Sequence, residues 1–254
     1  MDLTASGLVR RVSLETPDGR NAIDDGLIDR LSRALDDATA DPDCRVVVVE
    51  GSDGVFSTGM DLVHAGGETT SGRGGDDAAG TGGAFFDLLD RFTSVPLVVV
   101  SLVDGTVAGG GVGIVAASDL VFASERSTFA LPEALWGLLP CCVLPFLARR
   151  VGFQRAYAMT LTTQPVDADA AQAMGLADDV RADPAIAVRQ LAFRAGKLGI
   201  ETIGSLKTYA RTLHPITPAT REAAVTELGR LMDLPAVRGN LTAFAEHGRF
   251  PWQS

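Results

Sequence analysis

The sequence predicts an α/β protein with an all-helical C-terminal part. Apolar strand-like runs and amphipathic helices alternate over roughly the first 180 residues, as in a sheet whose strands are joined by crossovers. Two of those runs, Arg45–Glu50 with its four consecutive valines and Leu97–Val103, lack alternation, as strands buried on both faces do. From Pro184 onward the pattern is helical only, and its alanine-rich stretches are broken at Pro215, Pro218 and Pro235.

Leu8 to Leu14 reads as the first strand, closed by a turn at Pro17, Asp18 and Gly19. Asp24 is placed to cap a helix in which Leu27, Ile28, Leu31 and Leu35 recur at helical spacing, and Pro42 ends it. The valine strand at 45–50 follows, then a glycine-punctuated loop from Gly51 to Gly59. Residues 65–83 hold Gly, Ser, Thr, Asp and Ala with almost nothing to bury, and are expected to form a mobile loop and candidate lid. A helix resumes over Phe85–Phe92, and Pro96 precedes the strand 97–103. Gly105–Gly113 opens a helix, Leu120–Ala123 is a short strand, and Pro132–Pro140 is a loop. Val143–Val151 and Gln154–Leu161 are helical.

The chain has 254 residues, 46% of them hydrophobic, which suits one large domain or a domain with an appendage. The expected division is a core over 1–183 and a helical region over 184–254, docked on the core or on a neighbour. A formal net charge of −10 argues against nucleic acid as a partner, since phosphate binding wants a basic face. It leaves room for a phosphorylated cofactor or an acidic carrier protein, met by a local patch such as Arg149, Arg150 and Arg155; a solvated helix face explains those arginines as well. No apolar run approaches the roughly 20 residues of a membrane span, and the first ten residues lack the apolar stretch of a secretory signal. Three cysteines (Cys44, Cys141, Cys142) make no disulfide framework, and no Cys/His spacing fits zinc. A cytoplasmic protein without bound metal is the expectation.

Two loops carry the chemistry. Phe56-Ser57-Thr58-Gly59-Met60-Asp61 lies between a strand and a helix start, and Gly109-Gly110-Gly111 lies between a strand and a helix. Glycine lets the backbone approach a ligand closely, and helix N-termini present unpaired N–H groups. One donor from each loop would make an oxyanion hole. The triple glycine alone also suits a phosphate loop or close packing, although it lacks both the P-loop ending and the dinucleotide spacing.

The order of short motifs is more specific. Asn21-Ala22-Ile23, Phe56…Gly59-Met60-Asp61, Val103-Asp104-Gly105…Ala108-Gly109-Gly110-Gly111, Ser118-Asp119-Leu120, Phe129-Ala130-Leu131-Pro132-Glu133, Gly137-Leu138-Leu139-Pro140 and Gly175-Leu176-Ala177 follow one another over the first 180 residues. In this order and spacing the chain resembles the crotonase (enoyl-CoA hydratase/isomerase) superfamily. The resemblance implies a spiral of ββα units, a C-terminal helical trimerisation region, a homotrimer or hexamer, and thioester substrates on a phosphopantetheine arm of coenzyme A or acyl carrier protein, with no bound cofactor. It places Met60 and Gly110 as the oxyanion-hole donors, Asp61 as a loop-organising residue, and Glu133 as one of the two glutamates that hydratases of the family carry. The other glutamate position holds Gly113, a departure that argues against ordinary two-glutamate water addition.

The stretch Trp136–Leu147, its continuation through Arg149-Arg150-Val151-Gly152 and Met159–Thr162, and the ending Gly248-Arg249-Phe250-Pro251-Trp252 resemble the dehydratases of polyketide β-branching cassettes. That implies removal of water from a 3-hydroxy-3-methylglutaryl thioester on an acyl carrier protein, giving the glutaconyl thioester. An isomerase or decarboxylase of the same fold, and a non-catalytic scaffold, are the alternatives. An apolar wall of Leu131, Leu135 and Trp136 beside Glu133 would raise its pKa. His64, four residues after Met60, and His214, before Pro215, read more simply as having no catalytic part. Cys141 and Cys142 lack a placed histidine partner and are not expected to be nucleophiles. Lys207, Tyr209 and Arg211 read as an exposed helix face.

Overall fold

A computed structural model describes residues 7–61 and 74–253, with side chains of the second segment described from residue 79. His64 and residues 65–73 of the expected lid lie outside the described residues.

A five-stranded parallel sheet has the order β1-β2-β4-β6-β9, formed by β1 (Val9–Ser13), β2 (Val46–Glu50), β4 (Val98–Val103), β6 (Leu120–Ala123) and β9 (Asp179–Val180). The valine strand β2 is buried on both faces, which explains its unbroken apolar run. Val47 and Val49 face the main core, while Val46 and Val48 pack with Val100 and with Ala187, Val188 and Ala192 of α7 (Ala185–Ala195).

A second sheet joins β3 (Val55–Ser57), β5 (Thr106–Ala108) and β7 (Thr128–Ala130) in parallel, with β8 (Val166–Asp167) antiparallel at its edge. Each long strand therefore hands over to a short one and then to a helical element. The pairs are β2–β3 with α2 (Gly74–Phe92), β4–β5 with α3 (Gly110–Ala117), and β6–β7 with a 3-10 turn at Glu133–Trp136. This is the mixed α/β crotonase fold that the sequence predicted. The bend between β4 and β5 requires Gly105: its φ is 103°, and a Cβ there would stand 1.8 Å from the Gly54 carbonyl oxygen.

α1 (Asp25–Ala40) starts where expected, with the Asp24 side chain accepting from Leu27 N–H at 2.7 Å. α2 departs from the expectation. It begins at Gly74, so residues 74–83 are the first half of a helix and not a loop. Glycine is a poor helix former, but tertiary packing decides here. A Cβ on Gly82 would fall 2.5 Å from Leu228 Cδ2, and one on Gly83 would fall 2.9 Å from Arg221 Nη2, both residues of α9 (Pro218–Met232). The small residues let α9 lie close against α2, where Arg221 also forks onto Asp87 at 2.6 and 2.7 Å.

The remaining helices are α4 (Leu144–Val151), α5 (Phe153–Thr162), α6 (Ala168–Met174), α8 (Ile200–Leu213) and α10 (Pro235–His247). The C-terminal helices dock on the core of their own chain. Lys207 of α8 is not on an exposed face: its side chain is 7% accessible and pairs with Asp119 at 2.6 Å while donating to the carbonyls of Phe92 and Leu97. Burial lowers the Lys207 pKa and raises that of Asp119, so desolvation opposes a pair that geometry holds together. Arg211 is engaged with Asp90 at 2.7 Å; Tyr209 is exposed as expected. No helix of the described residues is long and apolar enough to cross a membrane.

Candidate active site

The first loop is fixed by buried polar contacts that the motif reading did not assign. Asn21 sits in the left-handed region at φ 51°, a conformation asparagine tolerates, and is fully buried. Its amide donates to the Val55 carbonyl at 2.7 Å, and its own carbonyl accepts from Ser57 Oγ at 2.7 Å. Ser57 Oγ in turn accepts from Gly59 N–H at 3.1 Å. Ile23 then bridges the loop in parallel, donating to the Gly59 carbonyl at 2.8 Å and accepting from Asp61 N–H at 3.3 Å. In a parallel bridge the residue between those two partners turns its own N–H the other way, so the N–H of Met60 points off the pairing.

The second loop presents Gly110 as the first residue of α3, where a helical N–H has no partner within the helix. Gly109 ahead of it holds φ 53° and ψ −124°, a conformation reserved for glycine. The loops touch through glycine alone: a Cβ on Gly59 would meet the Ala108 carbonyl at 3.0 Å and Gly110 N at 3.3 Å. This approach brings Met60 and Gly110 to one cavity.

Glu133 reaches the same cavity from a third element. β7 ends at Ala130, Leu131 is anchored in the core, and the chain turns through the 3-10 segment Glu133–Trp136, stopped by Gly137 at φ 80°. Trp136 pins that turn by packing at steep ring angles against Phe244, Phe250 and Trp252 of the C-terminus, with ring centroids 5.0 to 5.9 Å apart. Asn240 also donates to its carbonyl at 3.3 Å. Glu133 Oε1 lies 3.2 Å from where a Cβ of Gly109 would stand, which puts the carboxyl at the N-terminus of α3. Glu133 Oε2 is buried with no hydrogen-bond partner. Burial pushes the Glu133 pKa up to about 7. Its wall is the expected one only at Trp136: Leu135 is 43% exposed, and Leu138, Cys142 and Val143 enclose the site with Phe85 and Leu228. The cavity holds about 100 Å³, room for a compact acyl head.

Gly113, where the second glutamate of the hydratases would stand, faces no open space. A Cβ there would touch Val143 at 3.0 Å, Leu89 at 3.1 Å and Phe85 at 3.4 Å. Glu133 is the one carboxyl group among the described residues lining the cavity. Cys142 donates to the Gly82 carbonyl at 3.4 Å, and burial raises the thiol pKa of Cys141 to about 11 and of Cys142 to about 12, so neither is a ready thiolate. Arg150 is occupied by the carbonyls of Ser118 and Leu176 and by Asp178, and Arg155 donates to the Met174 carbonyl, so little of the expected arginine patch is left for an anion. His214 is exposed at the end of α8. Among the described residues no cluster of His, Cys, Asp or Glu forms a metal site.

A spiral of ββα units with Met60, Gly110 and a buried acid lining one cavity fits an enzyme of the hydratase and dehydratase type. The enoyl-CoA hydratase/isomerase family profile matches residues 4–254, and the chain belongs to that family. The bacillaene synthase dehydratase PksH of Bacillus subtilis is 32% identical over 242 residues, covering 95% of this chain and 92% of that protein. A crystal structure of the Bacillus subtilis pksH product, assigned as a polyketide biosynthesis enoyl-CoA hydratase, superimposes with a TM-score of 0.87 at 30% identity, covering 96% of this chain and 95% of that one. An enoyl-CoA hydratase from Mycobacterium avium gives a TM-score of 0.82 at 29% identity, covering 98% and 94%.

Proposed function

We propose that the protein dehydrates a 3-hydroxy-3-methylglutaryl-type acyl thioester, carried on the phosphopantetheine arm of an acyl carrier protein or coenzyme A, to the glutaconyl thioester. The observation that carries this reading is the buried carboxyl of Glu133, the one carboxyl among the described lining residues, unpartnered at Oε2 in a cavity also lined by Met60 and Gly110. The similarity to a polyketide dehydratase supports the direction of reaction and the substrate class.

The thioester carbonyl accepts from Met60 N–H and Gly110 N–H, which lowers the acidity barrier at Cα and stabilises the enolate. Glu133, ionised, takes the Cα proton. The enolate electrons then form the Cα–Cβ double bond, the Cβ–O bond breaks, and Glu133 returns its proton to the departing hydroxyl as water. A tertiary hydroxyl leaves more readily than a secondary one, so one carboxyl shuttling a single proton serves where two-glutamate hydratases divide the work. The filled surroundings of Gly113 agree with that division being absent. No cationic side chain is among the described residues lining the cavity.

Glu133→Gln is the direct test. Dehydration should fall by roughly 10²–10⁴ in a folded variant, and a rate near wild type would remove Glu133 from the mechanism. The helical region 184–254 is assigned to assembly into a homotrimer or hexamer. In support, Leu206, Tyr209 and Leu213 of α8 are large apolar side chains left exposed on the single chain.

A further inference from the structure

Three buried side-chain oxygens have no hydrogen-bond partner among the described residues: Ser52 Oγ, Thr58 Oγ1 and Glu133 Oε2. Thr58 and Glu133 both line the active-site cavity, and Ser52 does not. The loop carries two hydroxyls with different uses. Ser57 Oγ is tied to Asn21 and Gly59 and fixes the backbone. The backbone of Thr58 is equally fixed, its N–H donating to the Arg20 carbonyl at 3.1 Å, but its hydroxyl holds nothing. A buried hydroxyl left unpaired is costly, and one on a cavity wall is open to satisfaction by a ligand bound there.

We propose that Thr58 is a substrate-contacting specificity residue whose hydroxyl hydrogen-bonds the β-hydroxyl of a hydroxyacyl thioester. The assignment rests on the dehydratase reading of the cavity. The thioester oxygen is taken by the two backbone donors, so the oxygen left to meet Thr58 belongs to the acyl chain. A carboxylate is a poor candidate, because the described lining offers it no cation and Glu133 would repel it once ionised. A neutral hydroxyl both donates and accepts, as does the threonine, and so satisfies Thr58 and Glu133 together. Thr58 then discriminates between acyl chains that carry the leaving group and those that do not.

The test uses two unreactive pantetheine thioethers, one with a 3-hydroxy-3-methylbutyl chain and one with its 3-deoxy counterpart, titrated by calorimetry into wild type, Thr58→Val and Thr58→Ser. Wild type and Thr58→Ser should bind the hydroxylated probe about tenfold more tightly than the deoxy probe, the size of one buried hydrogen bond. Thr58→Val should bind both alike and melt no lower than wild type, since it removes an unsatisfied group. A preference retained by Thr58→Val, no preference or no binding in wild type, or a Tm that falls on Thr58→Val would each overturn the assignment. The probes do not turn over, so a separate failure of the dehydration reaction would leave this result readable.

Discussion

Burial of Glu133 ties two pH dependences to one side chain. Catalysis as proposed begins with the ionised carboxylate, so kcat/KM should rise with pH, reach half its plateau near pH 7, and stay level above it. Stability runs the other way. The folded state holds the proton up to about 7, against an ordinary 4.5, so stability is complete below pH 4.5 and is lost as pH rises through 7, by about 3 kcal/mol in all. Glu133→Gln should therefore be more stable than wild type in denaturant melts at pH 8 and gain little at pH 5; equal gains at both would contradict the buried-acid account. That Met60, Gly110 and Glu133 share one cavity was legible in the sequence because each lies in a short motif with a fixed neighbour. Asn21 and Ser57, which set the aim of Met60, were visible only as motif letters. The unmet hydroxyl of Thr58 was not legible, since a lack of partners is a property of the packed chain.

Elements differed in legibility for a physical reason. The long valine strands and α1 announce themselves by run length and capping, whereas β3, β5 and β7 are three residues each and owe their pairing to the neighbours on either side. α2 hid behind its glycines, of which Gly82 and Gly83 serve the contact with α9. Lys207 read as exposed because a polar helix position looks the same whether it meets water or a buried aspartate. That pair predicts a cost: Lys207→Met should destabilise by about 2–3 kcal/mol in urea melts, the low side for a buried pair because Asp119 keeps 27% of its side chain exposed. An unchanged midpoint would show that the pair does not hold α8 to the core. The Gly113 site gives a sharper case. Gly113→Glu writes back the second glutamate, but the carboxylate would displace Phe85, Leu89 and Val143, and the variant should lose about 3 kcal/mol or more and gain no hydratase activity. A stable, hydrating variant would mean that the wall is not closed.

At the scale of the whole molecule, the C-terminal helices both complete the cavity, through Leu228, and pin the Glu133 turn through Phe244, Phe250 and Trp252. The sequence showed that this region is helical but left open whether it docks on its own core. The proposed assembly would use what remains exposed. Leu206→Glu combined with Leu213→Glu should shift the protein from trimer or hexamer toward monomer in light scattering coupled to size exclusion, because charges replace an apolar stripe of α8. An unchanged mass would place the interface on another face.

The central claim is that one carboxyl and two backbone donors remove water from a 3-hydroxyacyl thioester. Intact mass spectrometry of an acyl carrier protein loaded with 3-hydroxy-3-methylglutaryl, incubated with wild type and with Glu133→Gln, measures it directly. The account predicts loss of one water from the carrier with wild type and almost none with the variant. Loss of carbon dioxide, or equal loss of water with both proteins, would contradict it.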